Sequence, residues 1–331
     1  MKKMFCTIMH GIGRVYETLR FGSGILHWVT FWEGIKVFAI LGATGKVGQT
    51  TATALREVGV PVRAVVRDRS KANQLAALGC EIAIADLQDA PALARAIDGT
   101  CAVQIICPVC AQGANASKEM GRSIESIGKA LEAVQAPAVL AISDYGAELD
   151  SGTGVTMLFH ALEERLRRMA SRLIFLRSAE HMENWSRVIK VAVQTSALPS
   201  LHHPLTKLFP MVSAFDVGAI AARLLLSPFE DHVSPRIVHV EGPRRYTPLD
   251  VAGVVGALLG RKISAYELPR TDWSATLRLG GLSESYTQLV IDLYDAHNAG
   301  RIDVQPGVDE TCYGKTEFLD ALKPLMPSVL G

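Results

Sequence analysis

The chain has 331 residues, room for one large or two ordinary domains, and carries 34 Lys and Arg against 33 Asp and Glu. A net charge of +1 with 20% charged residues gives no electrostatic reason to expect nucleic acid or a charged membrane surface as a partner. No apolar run reaches the roughly 18 residues of a membrane span, and six cysteines in a chain of this size do not form a secreted disulfide framework, so a cytoplasmic location is expected.

Residues 1–35 begin with Lys2 and Lys3, as a signal peptide does, but His10, Arg14, Glu17 and Arg20 interrupt any apolar core. Gly11, Gly13, Gly22 and Gly24 weaken any helix there. This stretch is expected to be an N-terminal extension, either disordered or absent from the mature chain, with a membrane-surface anchor as the other reading.

From Val37 to Gly48 the sequence runs VFAILGATGKVG, an apolar strand that breaks into glycines at 42, 45 and 48. A strand turning sharply into a helix presents backbone N–H groups to an anion, and a pyrophosphate fits there. Gly42 would permit the tight turn, Gly45 the close approach of phosphate, and Gly48 the packing of helix on strand. The pattern is G-x-x-G-x-x-G, and alone it is a weak signal.

The next residues give it context. Thr50–Glu57 reads as a helix, Pro61–Val66 as a strand, and Ser70 as the cap of a helix through Leu78. Glu81–Ala85 is a strand ending at Asp86-Leu87, Ala90–Ile97 a helix, and Ala102–Ile106 a strand. Alternation at this pitch implies an α/β fold with a doubly wound parallel sheet, binding its cofactor across the C-terminal strand ends.

The end of the second strand selects the dinucleotide. An acidic residue there would accept from a ribose 2′-OH, whereas an arginine receives a 2′-phosphate. Arg67 occupies the position, with Arg69 and Lys71 behind it, so NADP(H) is expected in preference to NAD(H). Asp68 keeps the alternative open if the strand ends one residue later.

Cys107-Pro108-Val109-Cys110 has the C-x-x-C spacing of a redox pair or half a zinc site. Zinc needs two further ligands, which are not evident nearby, and a reactive cysteine wants a helix N-terminus just after it. Two small residues in a loop passing the cofactor is the plainer reading. The adjacent His202 and His203 point different ways along a loop, and no metal is expected.

Several stretches together resemble the NmrA-like branch of the short-chain dehydrogenase/reductase superfamily. GATGKVG at 42–48 and Val65–Arg67 resemble its phosphate loop and ribose-phosphate arginine, and Asp86-Leu87 the pair bordering the adenine. AISDYGA at 141–147 and Leu176-Arg177 with Met182-Glu183-Asn184-Trp185 resemble its fifth- and sixth-strand endings. VSAFDVGAIAA at 212–222 and Val240–Pro243 with Tyr246-Thr247 extend the resemblance to about residue 325. Asp216 is expected to be a helix N-cap, and Thr247 with Asp250 a cap followed by an acidic first turn.

The resemblance implies a Rossmann domain over 36–180 and a smaller, mostly helical substrate lobe over 181–331, with a strand at 236–240 returning to the sheet. It implies dinucleotide contacts from Gly42, Thr44, Gly45, Lys46, Val47 and Gly48. Arg67, Asp86, Leu87, Pro108 and Ser143 complete the implied set. The family includes NAD(P)H-dependent quinone, azo-dye and triphenylmethane reductases, together with dinucleotide-binding redox regulators. An oxidoreductase acting on a small-molecule electron acceptor is therefore expected. A non-catalytic redox sensor with a regulatory protein partner is the alternative, and homodimerisation is left open.

One departure matters. The superfamily's usual pair is Y-x-x-x-K, but four residues beyond Tyr145 stands Leu149, and no lysine occurs between Lys129 and Lys190. A phenol without a neighbouring cation, with a pKa near ~10, is a poor base at neutral pH. Reduction of an electrophilic acceptor needs no strong base, and Tyr145 or His160 would supply a proton. His160 lies beside Glu163 and Glu164 on one helix, and a lone histidine there is more often structural than catalytic.

Met182, Asn184 and Trp185 follow the sixth strand, at the edge where substrates sit in this architecture. Asn184 would bond a carboxamide or substrate carbonyl, or cap a helix starting near Ser186. Trp185 would offer a flat wall, or fill the core. Leu198–Pro210, with three prolines, is expected to be a mobile lid. Ser283–Ala296 reads as an amphipathic helix whose Tyr286, Leu289, Val290 and Tyr294 either line the pocket or pack in the core.

Overall fold

The structure is a computed structural model and describes residues 36–169, 171–227, 234–308 and 310–326. It also describes the backbone of three short antiparallel strands, Ile8–Gly11, Arg14–Glu17 and Val29–Phe31. The rest of the N-terminal extension, and with it the expectation of disorder or removal, lies outside the described residues.

The apolar run after Lys36 forms β1 (Phe38–Leu41), whose residues alternate between the two faces of a sheet. Ile40 joins one core cluster, and Ala39 and Leu41 the other. This period of two, with apolar residues on both faces, is what a parallel strand covered on both sides requires.

The chain continues through α1 (Lys46–Glu57), β2 (Val62–Val66), α2 (Asn73–Ala77), β3 (Glu81–Ile84) and α3 (Ala90–Ile97). Next come β4 (Ala102–Ile105), α4 (Ala116–Ala133), β5 (Ala138–Asp144), α5 (Thr156–Arg167) and β6 (Arg172–Ser178). The first helix begins at Lys46, four residues earlier than expected. The glycine loop runs directly into it, leaving no linker.

The C-terminal half holds β7 (Glu180–His181), a 3-10 turn at Met182–Trp185, α6 (Ser186–Thr195), β8 (Ala197–Ser200), β9 (Met211–Val212) and α7 (Ala214–Leu226). It ends with β10 (Arg236–Glu241), α8 (Pro248–Leu259), β11 (Ser264–Glu267), α9 (Trp273–Leu279), α10 (Glu284–Asn298), β12 (Thr311–Tyr313) and α11 (Phe318–Leu322).

Eight strands make one parallel sheet in the order β12-β10-β6-β5-β4-β1-β2-β3. The order reverses between β1 and β4, which opens a crevice at the C-terminal strand ends. α1 and α7 cover one face, burying Ile40, Ala64, Leu140 and Val217, while α3, α4 and α5 cover the other with Leu93, Ile127 and Leu162. A third core, around Met182, Trp185, Met211, Tyr246, Val255 and Phe318, holds the C-terminal lobe together.

Three local expectations are corrected. Asp68, not Ser70, caps the turn after β2: its carboxylate accepts the Ser70 N–H at 2.9 Å, and a 3-10 turn (Arg69–Lys71) precedes α2. Ser213, not Asp216, is the N-cap of α7, accepting from the Phe215 amide. Asp216 lies inside the first turn and reaches out to the Lys315 and Thr316 amides at 3.0 and 2.8 Å.

The segment 198–210 is packed rather than poised as a lid. Leu198, Leu201, His202 and Phe209 are buried, β8 pairs with β11, and the Phe209 amide bonds the Tyr246 carbonyl. The cap at Thr247 has the expected form, a reciprocal box with Asp250.

Candidate active site

The glycine loop sits at the C-terminal end of β1. Gly42 has φ +77, a left-handed conformation that favours glycine, and a Cβ there would meet the Ile106 carbonyl oxygen at 2.9 Å. A Cβ on Gly48 would meet the Gly42 oxygen at 2.6 Å, so helix and loop pack closely only without a side chain. Gly45 differs, because the nearest protein atom to its Cβ would be 3.6 Å away. Nothing in the protein forbids a side chain at Gly45, and the open space beside it fits a phosphate. Thr44, Gly45 and Lys46 are exposed at this mouth, while Val47 is buried beneath it.

Arg67 is exposed at the end of β2, and its guanidinium makes no hydrogen bond among the described residues. Asp68 is occupied: both the amide and the hydroxyl of Ser70 bond its Oδ1, which holds the carboxyl below the usual carboxylate range. Asp86 accepts the Gln88 amide at 2.8 Å at the end of β3, with Leu87 half-buried beside it. Pro108 lies exposed on the loop after β4. The residues present at this mouth fit a dinucleotide.

Ser143 turns away from this crevice. Its hydroxyl donates to Glu163 at 2.6 Å, and the same carboxylate receives Arg177 at 2.9 and 2.7 Å, neutralising an arginine that is fully buried. Tyr145 is also committed, donating to Glu241 Oε1 at 3.2 Å. Burial first, and then the Glu241 charge, push its phenol above the ordinary value. His160 Nδ1 stands 2.9 Å from the Ala147 carbonyl on the outer helix α5.

The Met182–Trp185 turn divides by burial. Met182 and Trp185 belong to the lobe core, with Trp185 Nε1 against Met211 Sδ at 3.1 Å, and Asn184 is exposed without capping α6. Cys107 is buried and its thiol is pushed up to about 12 by burial, whereas Cys110 is exposed. Among the described residues no cluster of three His, Cys, Asp or Glu could hold a metal ion.

Sequence reasoning named Tyr286 and Tyr294 as pocket-lining candidates and missed the acidic and histidine side chains near them at the strand ends. Asp144 ends β5 opposite Ser178 of β6, Glu180 and His181 of β7 follow within three residues, and Tyr294 of α10 donates to Glu180. Asp144, Glu180, His181 and Tyr294, with Tyr286 of α10, are half-buried. His181 is held below its usual value by burial; the Glu183 and Glu180 charges oppose the shift, and Lys46 of the glycine loop adds to it. α10 closes over the strand ends because the Ser283 amide bonds the Ala111 carbonyl and Ser285 bonds the Ala116 amide.

Glu180 receives Tyr294 at 3.1 Å and stands 2.8 Å from His202 Nε2. Burial would raise its carboxyl, but the His202 hydrogen bond and charge, with His297 and Tyr294, outweigh that and hold it below the ordinary value. The signal available in sequence was an acidic residue, Asp144, at the open end of an otherwise apolar strand.

The parallel sheet, the switch point and the glycine loop together define a nucleotide-binding protein of the Rossmann type. The chain belongs to the NmrA-like family, whose model matches residues 35–313. It is similar to the NAD(P)H azoreductase of Xenophilus azovorans, 22% identical over 275 residues that span 81% of this chain and 91% of that protein. The fold is similar to that of an NADPH-dependent quinone oxidoreductase from Escherichia coli, with a TM-score of 0.70, 21% identity and coverage of 87% and 99% of the two chains. It is similar again to that of a triphenylmethane reductase from Citrobacter sp., with a TM-score of 0.72, 17% identity and coverage of 88% and 99%.

Among the described residues no helix is long and apolar enough to cross a membrane.

Proposed function

We propose that this protein is an NADPH-dependent reductase that delivers hydride to a small electrophilic acceptor of the quinone or azo type. The observation that carries the cofactor preference is Arg67, exposed at the end of β2 and without a hydrogen bond among the described residues, while its acidic neighbour Asp68 is tied into a turn. A guanidinium there suits a 2′-phosphate, which it can meet with two parallel hydrogen bonds. The azoreductase and quinone oxidoreductase relatives support the same acceptor chemistry.

The bound nicotinamide supplies the hydride. The protein's task is binding, orientation and exclusion of water. The glycine loop and the N-terminus of α1 hold the pyrophosphate, and Arg67 and Asp86 border the adenosine half. The cleft between β5, β7 and α10 receives the acceptor, with Tyr286 and Tyr294 as flat apolar walls. The absence of a lysine after Tyr145, and the burial of its hydroxyl against Glu241, fit a reaction that needs no strong base.

The test is NADPH consumption by the purified protein against a panel of quinones, azo dyes and triarylmethane dyes, beside a titration of NADPH binding. Turnover with an acceptor supports the reading and identifies the substrate class. Tight binding without turnover across the panel replaces it with a dinucleotide-binding regulator, and failure to bind NADPH overturns both.

A further inference from the structure

We propose that Asp144 is the proton donor of this reaction, its carboxyl group protonating the acceptor as hydride arrives. This rests on the reductase reading of the same cleft and adds to it the residue that completes the chemistry.

The argument begins with position. Asp144 is the last residue of β5, two strands from the β1 loop, on the side of the switch point away from Arg67. A dinucleotide with its adenosine at β2 and its pyrophosphate at the glycine loop places its reactive ring towards the ends of β4 and β5. The side chains flanking Asp144 are committed, Ser143 to Glu163 and Tyr145 to Glu241, which leaves Asp144 as the uncommitted one of the three at the strand end. Its carboxyl makes no hydrogen bond to another side chain among the described residues, and the residue is half-buried.

The surroundings keep a proton on it. Asp144 pairs with Ser178 of β6, which sets Glu180 of β7 beside it at the strand end; Tyr294 and His202 bond Glu180, and the Asp144 and Arg187 charges both act on Tyr286 of α10. Glu180 takes hydrogen bonds from Tyr294 and His202 and so stays a carboxylate. Two neighbouring carboxyls then divide their roles: Glu180, with two side-chain partners, stays charged, and Asp144, with none, takes a proton more readily. Burial pushes the Asp144 carboxyl up to about 7, with the Tyr145 amide opposing and the Glu180 charge adding to the shift. An acid with its midpoint near the working pH is well matched to proton transfer.

The step balances with NADPH as the reductant. A quinone gains one hydride, carrying two electrons, and one proton from Asp144. The Asp144 O–H bond breaks as the hydroquinone O–H bond forms. The products are the hydroquinone, the oxidised nicotinamide and an Asp144 carboxylate that regains its proton from water.

The experiment compares the full-length wild type with Asp144→Asn and Asp144→Glu, following NADPH oxidation by a naphthoquinone over about two pH units either side of neutrality. Alongside, the carboxyl groups of aspartate-labelled protein without ligand are titrated by carbon NMR, with the Asn variant assigning the Asp144 signal. We expect Asp144 to titrate near neutrality. Wild-type kcat/KM should fall above that midpoint, and Asp144→Asn should lose roughly 10- to 100-fold together with the falling limb.

Asp144→Glu should restore the limb. NADPH affinity should stay within about two-fold in both variants, as expected for a group that acts on the acceptor. Glu180→Gln should move the Asp144 titration to lower pH. An Asn variant with wild-type turnover and pH profile, or an Asp144 titrating in the ordinary carboxylate range, overturns this assignment and leaves the reductase reading standing. A wild type that turns over no acceptor overturns the reductase reading and the assignment with it.

Discussion

Tyr145 and Glu241 are joined through the interior, the phenol donating to Oε1 at 3.2 Å while Arg245 grips the same carboxylate at 2.7 and 3.1 Å. Arg245 is in turn held by Asp303 at 2.6 and 2.9 Å, which makes the tyrosine one end of a four-residue network under the sheet edge. A hydroxyl committed in this way ties β5 to β10 and is not free to exchange protons with an acceptor.

Tyr145→Phe should therefore behave as a packing change. It removes one donor but leaves Glu241 paired to Arg245, so the expected cost is about 1 kcal/mol of stability. Turnover should stay within about three-fold, far less than the loss on removing a catalytic acid. Urea denaturation and NADPH oxidation on the same preparation measure both. A hundred-fold fall in turnover at unchanged stability would return Tyr145 to the reaction.

The glycine loop predicts opposite outcomes for two similar substitutions. Gly48→Ala places a Cβ 2.6 Å from the Gly42 oxygen, where backbone meets backbone and nothing flexible can yield. Overpacking of this kind costs about 1–3 kcal/mol, and Tm should drop with or without ligand. Gly45→Ala meets its nearest protein atom at 3.6 Å, so the fold should tolerate it. Its methyl group would occupy the space left for phosphate, and NADPH binding should weaken by about ten-fold at near-native Tm. Equal destabilisation by both would mean that Gly45 is structural.

The alternation of strands and helices was legible because the parallel strands are short, mostly apolar runs such as FAIL at 38–41, and the α1 helix is amphipathic. The glycine loop was legible for the same local reason. What escaped depends on partners far along the chain. Asp216 looked like a cap because acidic residues at helix starts usually are, yet it bonds the Lys315 and Thr316 amides, about a hundred positions away. Three prolines made 198–210 look like an exposed loop, but His202 stacks on Phe209 with ring centroids 3.7 Å apart and reaches Glu180. Glu180 of β7 accepts from Tyr294 of α10, and no local pattern announces a contact across 114 positions.

Arg67→Ala should separate the two nicotinamide cofactors. One charge-assisted contact to a 2′-phosphate is worth about 1.5–3 kcal/mol, so NADPH should bind roughly 10- to 100-fold more weakly. NADH lacks that phosphate, and its affinity should be unchanged. Fluorescence titrations with both cofactors provide the measurement. Equal weakening of both would assign Arg67 a structural role and remove the basis for NADPH preference.

His239 gives the fold a pH dependence whose sign can be worked out. The residue is fully buried on β10, T-shaped against Tyr145, and its Nε2 accepts the Gln305 amide at 3.2 Å. Burial, and then the Arg177 charge, lower its pKa from 6.5 to about 4. Between those values the unfolded chain binds a proton that the native protein refuses, so this residue's contribution is present above pH 6.5 and lost as pH falls towards 4. The slope is about 1.4 kcal/mol per pH unit for one proton. Asp144, protonated more readily when folded, works in the opposite direction, so the total curve does not isolate His239. The difference between wild type and His239→Gln does, since the glutamine binds no proton in either state. Denaturation free energies measured across this window should fall about one proton's worth more steeply in the wild type, and parallel curves would show that His239 is charged in the folded protein.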